Sequence, residues 1–393
     1  MYFDHPEVQK LLAALAEMNR AQPEGQKTIS DIVDDAGHQY VDLVMEGGGT
    51  LGVALLGYIY ILEQQGIRFL RLAGTSAGSI VSMLLAGGGP IDRSKSAWLT
   101  EAVAGKDFSD FIDGGDEISA FIDGLMGKDR RKVMQHSKTA AEVLRKEYGL
   151  NPGLEFMRWM AGLLREQNIM TWADMARQRT VVPKGLRRRT TGVSVGADRF
   201  QRVSVVAADV TTQTKAVLPE MAELYWQEAH TVNPADYVRA SMSVPVFFYP
   251  LRAQWVPADE GAEERWSRLA NYHGPVPPEV LFVDGGCLSN FPMSLFEDDD
   301  PLPGAPVWGI KIGLERDSYQ PNESFGQFAG SVLGAMMYWS DNDFFVRHPE
   351  KRRQVGIIDT GQHNWLDFSL SDADKEDLFV RGARAAAAFL MQC

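Results

Sequence analysis

The residues of this sequence best suited to chemistry are a serine between glycines and an aspartate before glycines. Ser76 stands in the segment Gly-Thr-Ser-Ala-Gly at 74–78, between an apolar run and a helix-like segment. This context is typical of a G-x-S-x-G nucleophile elbow, in which small residues let a strained turn lift the serine hydroxyl clear of the sheet. Asp284 follows the apolar run Val280–Val283. A carboxylate within hydrogen-bond reach of a serine can act as its base if burial raises the pKa of the carboxylate.

Three consecutive glycines, Gly47, Gly48 and Gly49, could bind the negative charge that such a serine creates. They end an apolar run and lead into a helix N-terminus, where several backbone N–H groups are free to bind an anion. An oxyanion hole needs donors of this kind. A tight turn alone would be satisfied by one or two glycines, so the run of three favours anion binding.

The glycine loop also matches a dinucleotide-binding pattern, G-x-G-x-x-G, over residues 47–52. That pattern expects an acidic residue about 20 positions later, which binds the ribose. The sequence has no Asp or Glu between Gln64 and Ile91, and the glycines lack the Gly-Lys-Ser/Thr of a Walker loop. The sequence therefore disfavours nucleotide binding.

An alternation of strands and helices positions these residues. Apolar runs predict strands at Val41–Glu46, Arg68–Ala73, Thr190–Val195, Gln201–Ala207, Val280–Val283 and Val307–Ile312. Periodic spacing predicts helices around Val8–Met18 and at Ile29–Ala36, Leu51–Gln65 and Ser79–Leu85, with mainly helical stretches at about 92–179 and 325–393. The alternation indicates an α/β sheet with parallel neighbours. The glycine loop and the serine are therefore expected at the same edge of a parallel strand pair.

Composition bounds the class of protein. The chain has 393 residues, 45% of them hydrophobic, which is enough for one large domain or two ordinary ones. Its 39 Lys and Arg against 52 Asp and Glu give a net charge of −13, which argues against nucleic acid as the main partner. Two cysteines, Cys287 and Cys393, cannot by themselves build a disulfide framework or a metal site. The sequence shows neither a signal-peptide pattern nor the roughly 20 apolar residues of a spanning helix, so we expect a cytoplasmic protein.

Three motifs in a fixed order resemble those of the patatin-like phospholipase family. They are Glu-Gly-Gly-Gly-Thr-Leu-Gly at 46–52, Gly-Thr-Ser-Ala-Gly at 74–78 and Asp-Gly-Gly at 284–286. Residues 240–245 are similar to the family's Ala-Ser-x-Ser-x-Pro stretch, and residues 205–212 to its strand that ends in an Asp before a Thr-rich turn. The resemblance covers about Val41 to Gly313. Two positions differ, since Leu51 stands where the family usually has Arg or Lys, and Glu46 where it often has Asp or Ser.

The resemblance implies a three-layer α/β/α fold with a mostly parallel central sheet. The helical patterns outside the resemblance predict, in addition, a helical insertion and helical termini. We expect an N-terminal helical extension at 1–38 and a catalytic domain at 39–315. An insertion at about 92–180 would cover the active site. A mainly helical C-terminal segment at 316–393 would pack on the same domain.

The resemblance also implies a serine lipid acyl hydrolase, similar to a phospholipase A or lysophospholipase, that forms an acyl-enzyme and uses no metal or cofactor. Ser76 would be the nucleophile and Asp284 the general base. The backbone N–H groups of Gly47, Gly48 and Gly49 would hold the oxyanion. The other glycines of the motifs, which would shape the turns, are Gly52, Gly74, Gly78, Gly285 and Gly286. The implied partners are a phospholipid or another acyl ester and, transiently, a membrane surface.

A Ser–Asp–His triad of the α/β-hydrolase kind is a second possible mechanism, because His348 and His363 lie downstream of Asp284. Both histidines have polar neighbours typical of surface residues. Only one helix and one strand fit between the glycine loop and Ser76, whereas the α/β-hydrolase fold requires further strand–helix units there. The sequence therefore favours a dyad without histidine.

Three further hypotheses concern the role of the protein. Leu51 motivates a non-catalytic lipid- or partner-binding protein, and the same dyad could transfer the acyl group to an alcohol instead of water. The sequence is also compatible with an effector that is secreted without a signal peptide. The aromatic stretches Val246–Tyr249 and Leu333–Phe345 would form a membrane-facing or acyl-binding surface if exposed, although core packing is the commoner fate of such residues.

Overall fold

The chain alternates strands and helices along most of its length. The computed structural model describes residues 2–22, 27–127, 129–296, 304–313 and 342–392, with a few isolated positions between 319 and 335. The strands within these residues are β1 (Ile32–Val33), β2 (Gln39–Met45), β3 (Ile67–Thr75), β4 (Gly149–Asn151), β5 (Arg187–Arg188), β6 (Val203–Asp209), β7 (Thr214–Leu218), β8 (Val246–Phe248), β9 (Leu251–Gln254), β10 (Glu279–Asp284), β11 (Val307–Ile312) and β12 (Val355–Ile358). The α-helices with defined bounds are α1 (Pro6–Arg20), α2 (Val53–Gln64), α3 (Ala77–Gly87), α4 (Ser96–Ala104), α5 (Asp116–Met126), α6 (Arg130–Glu147), α7 (Leu154–Glu166), α8 (Trp172–Gln178), α9 (Pro234–Ser241), α10 (Ala262–Ala270) and α11 (Asp372–Gln392).

One sheet forms the centre of the fold, with the strand order β12-β11-β2-β3-β6-β10-β9. The five strands from β12 to β6 are parallel neighbours. β10 lies antiparallel to β6 and to β9, and β7 pairs antiparallel with β6. The predicted α/β fold with a mostly parallel central sheet is confirmed.

The register of β2 against β3 brings the glycine loop beside Ser76. Met45 lies opposite Gly74, so the loop and the serine leave the sheet at the same edge. A Cβ atom added to Gly47 would lie 3.1 Å from the Cβ of Ser76. The juxtaposition that the sequence predicted from a parallel strand pair is confirmed.

Asp284 reaches the same edge from the opposite direction. Thr75, the last residue of β3, lies opposite Val206, and β6 continues beyond this level to Asp209. β10 pairs antiparallel with the extension of β6, so that Asp284 lies opposite Ala207. The antiparallel direction of β10 thus brings its final residue back to the level at which β3 ends.

Both faces of the sheet are buried. Leu43 and Met45 of β2 belong to the largest apolar cluster, which also contains side chains of α2, α3 and α11. Val44 belongs to a second cluster with Phe291 and Phe296. Because successive residues of a strand point to opposite faces of a sheet, these two clusters cover β2 from both sides.

The mainly helical stretch predicted at 92–179 contains α4 to α8. α7 and α8 pack on α3, and α7 also packs on α9. Phe156, Met160 and Leu164 of α7 are fully buried in the main apolar cluster. α5 and α6 pack on each other around a smaller cluster that includes Ile118 and Ala140. Most of the helices in this stretch therefore pack in the same apolar core as the central sheet.

The helix predicted at Ile29–Ala36 is wrong. This stretch contains β1, which pairs antiparallel with both β2 and β5. A turn follows, in which the Asp34 carboxylate accepts the backbone N–H of His38 at 2.9 Å and Gly37 has a φ of +86°. Side-chain bonds within such a turn compete with helix formation, and strand pairing with distant residues leaves no local signal in the sequence.

The strand predicted at Thr190–Val195 is also wrong. Its residues turn around Gly192, which has a φ of +70°, and Ser194 forms only an isolated antiparallel bridge with Arg187. The strand of this region is the two-residue β5 just before it. The short strands β7, β9 and β12 are absent from the sequence prediction. β12 adds a parallel strand to the C-terminal segment that the sequence predicted to be mainly helical.

The C-terminal helix α11 packs closely against α2 at two glycines, one in each helix. A Cβ atom on Gly57 of α2 would lie 1.9 Å from the carbonyl oxygen of Phe379 in α11. A Cβ atom on Gly382 of α11 would lie 1.8 Å from the carbonyl oxygen of Ala54 in α2. The two backbones thus approach too closely for any side chain at either position. Because α2 begins next to the glycine loop, this contact ties the C-terminal segment to the candidate site.

Two findings bear on membrane contact. In the described ranges of the chain, no helix is both long enough and apolar enough to cross a bilayer. Most of the aromatic stretch Leu333–Phe345 lies outside the described residues.

We predict that Gly57→Ala destabilises the protein, because the new methyl group would meet the backbone of α11. Overpacking of this kind costs about 1–3 kcal/mol, measured as the free energy of unfolding in urea. Gly162→Ala in α7 is the matched control, since no atom lies within 4 Å of an added Cβ there. The control should be unchanged or more stable by about 0.5–1 kcal/mol, because Ala favours the helix over Gly. Equal stability of Gly57→Ala and the wild type would contradict the close crossing of α2 and α11.

Candidate active site

Ser76 occupies a strained turn between β3 and α3. Its φ of 51° is in the left-handed region, which a non-glycine residue adopts at a cost of about 1–3 kcal/mol. A Cβ atom on Gly74 would lie 2.3 Å from the backbone of Gly78, and one on Gly78 would lie 2.2 Å from the carbonyl oxygen of Met45. Both glycines of the motif are therefore required by close backbone contacts, and the turn has the strained strand–turn–helix geometry that the motif predicts.

The two serines at the end of α9 hold the two halves of the site. Ser241 Oγ accepts the backbone N–H of Ser76 at 2.9 Å and donates to the carbonyl oxygen of Val206 at 2.6 Å. The carbonyl oxygen of Ser243 accepts the backbone N–H of Asp284 at 2.8 Å. One short segment thus fixes the backbone of the elbow and the backbone of the aspartate relative to each other.

The Asp284 carboxylate is buried beside Ser76. Only 3% of the residue is exposed, and the Ser76 hydroxyl interacts with its carboxylate. Its Oδ1 atom also accepts the backbone N–H of Gly286 at 2.7 Å. Burial raises the pKa of Asp284 to about 6, while the bonds from Ser76 and Gly286 act in the opposite direction. A carboxylate with this pKa is a better base than an exposed one and is still largely ionised at neutral pH.

Gly285 allows this approach. A Cβ atom on Gly285 would lie 2.0 Å from the carbonyl oxygen of Val206 and 3.0 Å from the side chain of Thr75. The next residues also bind the elbow, since the Thr75 hydroxyl donates to the carbonyl oxygen of Ser289 at 2.9 Å. The Asp-Gly-Gly motif therefore lies directly against the strand that carries Ser76.

Asn290 engages the first glycine of the loop. The backbone N–H of Gly47 donates to the carbonyl oxygen of Asn290 at 3.0 Å, and Asn290 Nδ2 donates to the carbonyl oxygen of Gly47 at 3.1 Å. The first of these bonds disfavours the predicted use of the Gly47 N–H as an oxyanion donor, because that N–H already has an acceptor. A Cβ atom on Gly47 would lie 2.4 Å from Asn290 Oδ1, so glycine is needed there for space.

Gly48 and Gly49 keep their N–H groups available. Neither N–H has a hydrogen-bond acceptor among the residues that the structure describes. Gly49 has a φ of +55°, and a short 3-10 turn over Gly49–Gly52 leads from it into α2. The N-terminus of α3 lies next to Ser76, so the positive end of that helix dipole also faces the site.

Trp365, a residue of the C-terminal segment, holds the loop from the other side. Its carbonyl oxygen accepts both the backbone N–H of Thr50 at 3.0 Å and the Thr50 hydroxyl at 3.2 Å. A Cβ atom on Gly49 would lie 2.2 Å from the same oxygen. Sequence reasoning missed this contact, because Trp365 is separated from the loop by more than 300 residues and belongs to no motif.

The two positions that differ from the family pattern are both buried. Leu51 is 7% exposed and packs in the main apolar cluster. Glu46 is 1% exposed; its Oε2 accepts the backbone N–H of Ile312 at 2.6 Å, and its Oε1 lies 3.3 Å from Lys311 Nζ. Burial raises the pKa of Glu46, while Lys311 acts in the opposite direction. Neither side chain supplies a donor to the glycine loop.

An apolar cleft, partly open to solvent, runs along the site. Its polar wall residues are Thr50 and Ser76. The apolar and glycine residues of the wall are Gly49, Gly52, Val53, Ala77, Ile80, Val81, Val103, Phe108, Phe111, Phe156, Trp159, Met242, Val244, Phe248 and Phe368. Five of these, from Val103 to Trp159, lie in the 92–180 stretch. A cleft with this apolar lining fits an apolar ligand.

The predicted aromatic stretch Val246–Tyr249 is divided between surface and cleft. Val246 is 57% exposed, whereas Phe248 is 1% exposed and lines the cleft. Arg239 holds this stretch, since its Nη2 atom donates to the carbonyl oxygens of Tyr249 at 2.9 Å and of Pro152 at 2.8 Å. The same guanidinium lies over the Phe248 ring, 5.4 Å from its centroid.

The two histidines of the triad hypothesis bind other carboxylates. His363 Nε2 lies 2.9 Å from Asp377 Oδ2 on α11, and half of the His348 side chain is exposed near Glu350. Among the described residues, no histidine lines the cleft. In the described part of the chain, the groups that interact with the Asp284 carboxylate and lower its pKa are the Ser76 hydroxyl and the backbone N–H of Gly286.

Sequence comparisons agree with the motif order. A family model described as patatin-like phospholipase matches residues 43–296, a range that contains the glycine loop, Ser76 and Asp284. The uncharacterized protein YqhO of Bacillus subtilis (strain 168) is 28% identical over 359 residues, which are 90% of this chain and 99% of that protein.

Three solved structures are similar to this chain at low identity. VipD from Legionella pneumophila has a TM-score of 0.47 and 15% identity, over 96% of this chain and 73% of that chain. ExoU, solved with SpcU from the type III secretion system of Pseudomonas aeruginosa, has a TM-score of 0.37 and 17% identity, over 90% of this chain and 51% of that chain. Human GIVD cytosolic phospholipase A2, solved with methyl gamma-linolenyl fluorophosphonate, has a TM-score of 0.38 and 10% identity, over 98% of this chain and 64% of that chain.

We predict that Asp284→Asn makes the protein more stable at neutral pH. The folded-state pKa of Asp284 lies near 6 instead of the ordinary 3.8. The contribution of the protonated Asp284 carboxyl group to the free energy of unfolding is therefore fully present below pH 3.8. It is lost as the pH rises through 6 and the group ionises. The variant escapes this loss, so its free energy of unfolding should exceed that of the wild type by on the order of 2 kcal/mol at pH 7.5 and by little at pH 4.

Urea unfolding at several pH values measures this difference. Asp123→Asn, at an exposed position of α5, is the matched control and should keep the pH dependence of the wild type. A constant difference between Asp284→Asn and the wild type from pH 4 to 7.5 would contradict the raised pKa.

Proposed function

The chain belongs to the patatin-like phospholipase family, and we propose that it is a serine lipid acyl hydrolase whose catalytic dyad is Ser76 and Asp284. One observation carries the proposal. The Ser76 hydroxyl interacts with a buried Asp284 carboxylate at the wall of an apolar cleft, beside the N–H groups of Gly48 and Gly49, which have no acceptor among the described residues. A nucleophile, a base, oxyanion donors and an acyl-binding surface are the parts that ester hydrolysis requires.

In the first step, Ser76 Oγ attacks the carbonyl carbon of an ester while the Asp284 carboxylate takes the hydroxyl proton. The carbonyl oxygen becomes an oxyanion, which accepts hydrogen bonds from the N–H groups of Gly48 and Gly49. The intermediate then collapses, the leaving alkoxide takes the proton from Asp284, and the acyl group remains on Ser76.

In the second step, Asp284 takes a proton from a water molecule, whose oxygen attacks the acyl carbon. The same donors hold the second oxyanion. The bond to Ser76 Oγ breaks as the serine regains a proton from Asp284, and the carboxylic acid leaves. The raised pKa of Asp284 suits both steps, because the carboxylate must accept a proton and then return it.

Gly47 has a supporting role in this scheme. Its N–H is bound to Asn290, so we assign oxyanion binding to the next two glycines alone. The bonds between Gly47 and Asn290 join the glycine loop to the segment that follows Asp284. Leu51 does not argue against catalysis, because the oxyanion donors are backbone N–H groups and backbone hydrogen bonds hold the glycine loop in place.

The proposed substrate is an ester with a long acyl chain, because apolar side chains dominate the cleft wall. Burial of each methylene group of such a chain contributes about 0.8 kcal/mol. Phospholipids have such chains. Hydrolysis should therefore be faster for long-chain than for short-chain p-nitrophenyl esters at equal low concentration.

We predict that Ser76→Ala and Asp284→Asn each lower kcat by about a thousandfold or more. The two residues act as one catalytic unit, so the loss of either removes the contribution of both. The assay is release of fatty acid from phospholipid vesicles and of p-nitrophenol from long-chain esters. Ser82→Ala is the matched control, since Ser82 is buried in α3, the helix that follows Ser76, and its hydroxyl has no hydrogen-bond partner among the described residues. The control should keep near-normal activity. Full activity in either dyad variant would exclude the proposed mechanism.

A further inference from the structure

The segment 359–368, which we call the strap, runs beside the site although it lies outside the range that matches the family model. We infer that the strap positions the active site, with Trp365 orienting the oxyanion loop and Phe368 closing the acyl cleft. This inference rests on the proposed function, since it names the residues that set the rate and the chain-length preference of that reaction.

Trp365 orients the loop through its carbonyl oxygen. The backbone N–H of Thr50 donates to this oxygen, and the Thr50 hydroxyl lies within hydrogen-bond distance of both this oxygen, at 3.2 Å, and the carbonyl oxygen of Asn364, at 3.3 Å. The peptide between Gly49 and Thr50 is therefore fixed, and the N–H of Gly49 belongs to the adjacent peptide. The indole ring also packs here, because a Cβ atom on Gly49 would lie 3.2 Å from Trp365 Cε3. Removal of the ring would leave the carbonyl free to shift.

The strap is itself anchored to α11. Gly361 packs on the guanidinium of Arg381, where an added Cβ would lie 2.9 Å from Cζ. Arg381 Nη1 donates to the carbonyl oxygen of Asp359 at 3.2 Å, and its Nε donates to Asp377 Oδ2 at 2.6 Å. The same Asp377 oxygen lies 2.9 Å from His363 Nε2. α11 thus holds the strap, while its crossing with α2 holds the helix that follows the loop.

Phe368 forms part of the cleft wall. Its ring stacks on Phe247 with centroids 4.6 Å apart and an interplanar angle of 7°. It also meets Phe248 edge to face at 6.2 Å. Phe248 and Phe368 both line the cleft. An acyl chain long enough to reach this pair would bury methylene groups against it, whereas a short chain would not.

The two residues should therefore affect different kinetic constants. Loss of the Trp365 ring disturbs an interaction that forms in the transition state, so it lowers kcat for short and long esters alike. Loss of the Phe368 ring removes a surface that only long chains contact. It lowers kcat/KM for long chains relative to short ones.

The first arm of the test is Trp365→Ala. We expect kcat to fall about 10- to 100-fold on both butyrate and palmitate p-nitrophenyl esters, as misplaced catalytic groups do, with KM changed less than about twofold. Trp365→Phe should restore most of the activity, because a ring again supports the carbonyl. Hydrogen exchange of a peptide spanning 48–53 should become faster in Trp365→Ala, a readout that does not depend on activity.

The second arm is Phe368→Ala. The ratio of kcat/KM for palmitate to that for butyrate should fall about fivefold or more, since one wall contact of several methylene groups is lost. Phe3→Ala is the matched control, because Phe3 is a half-buried ring that packs on Tyr60 away from the cleft. Its ratio should equal that of the wild type.

The outcomes separate the two proposals. If kcat and hydrogen exchange are both unchanged in Trp365→Ala, the positioning role of Trp365 is overturned. If the chain-length ratio is unchanged in Phe368→Ala, the closing role of Phe368 is overturned. Wild-type protein that hydrolyses no ester would instead overturn the proposed function, and the exchange measurement would still decide whether Trp365 anchors the loop. If Trp365→Ala does not fold, Trp365→Leu and the exchange of the same peptide decide the question in its place.

Discussion

The buried Asp284 carboxylate beside Ser76 sets the requirements that the surrounding fold has to meet. Removal of the Asp284 carboxylate from water raises its pKa to about 6, and its hydrogen-bond partners are few. The surrounding backbone has to come close enough to exclude water and to supply those partners. Glycines at 74, 78 and 285 permit that approach, and the two serines that end α9 fix the backbone of Ser76 and Asp284.

The sequence was sufficient to predict the strand–loop–helix unit around Ser76, because all of its determinants are local. A strand, three glycines, a helix and a second strand within about 40 residues leave one arrangement for a parallel pair. The role that we propose for Asp284 was suggested by its motif, but its path was not, since the antiparallel direction of β10 depends on β6 extending past β3. Three glycine N–H groups were predicted as oxyanion donors, and among the described residues only the first of them has an acceptor, Asn290.

The contribution of the C-terminal segment was not predictable from the sequence. Trp365 acts through its carbonyl oxygen, a group that every residue has, so no side-chain pattern marks it. Phe368 and β12 lie in a segment whose strand is four residues long and whose partners are distant in sequence. These contacts also explain how a chain with Leu51 keeps its loop in place. Backbone bonds to the strap hold the loop, and Leu51 packs in the core.

In the mechanism that we propose, Asp284 activates Ser76 and no histidine takes part. The most direct measurement is the rate of labelling of Ser76 by a fluorophosphonate between pH 4.5 and 8.5, in the wild type and in His363→Gln. With Asp284 as the base, both rates should rise with pH through one ionisation near pH 6, the pKa to which burial raises Asp284. A folded His363→Gln protein in which this ionisation disappears would show that the base is a histidine and would contradict the Ser–Asp dyad.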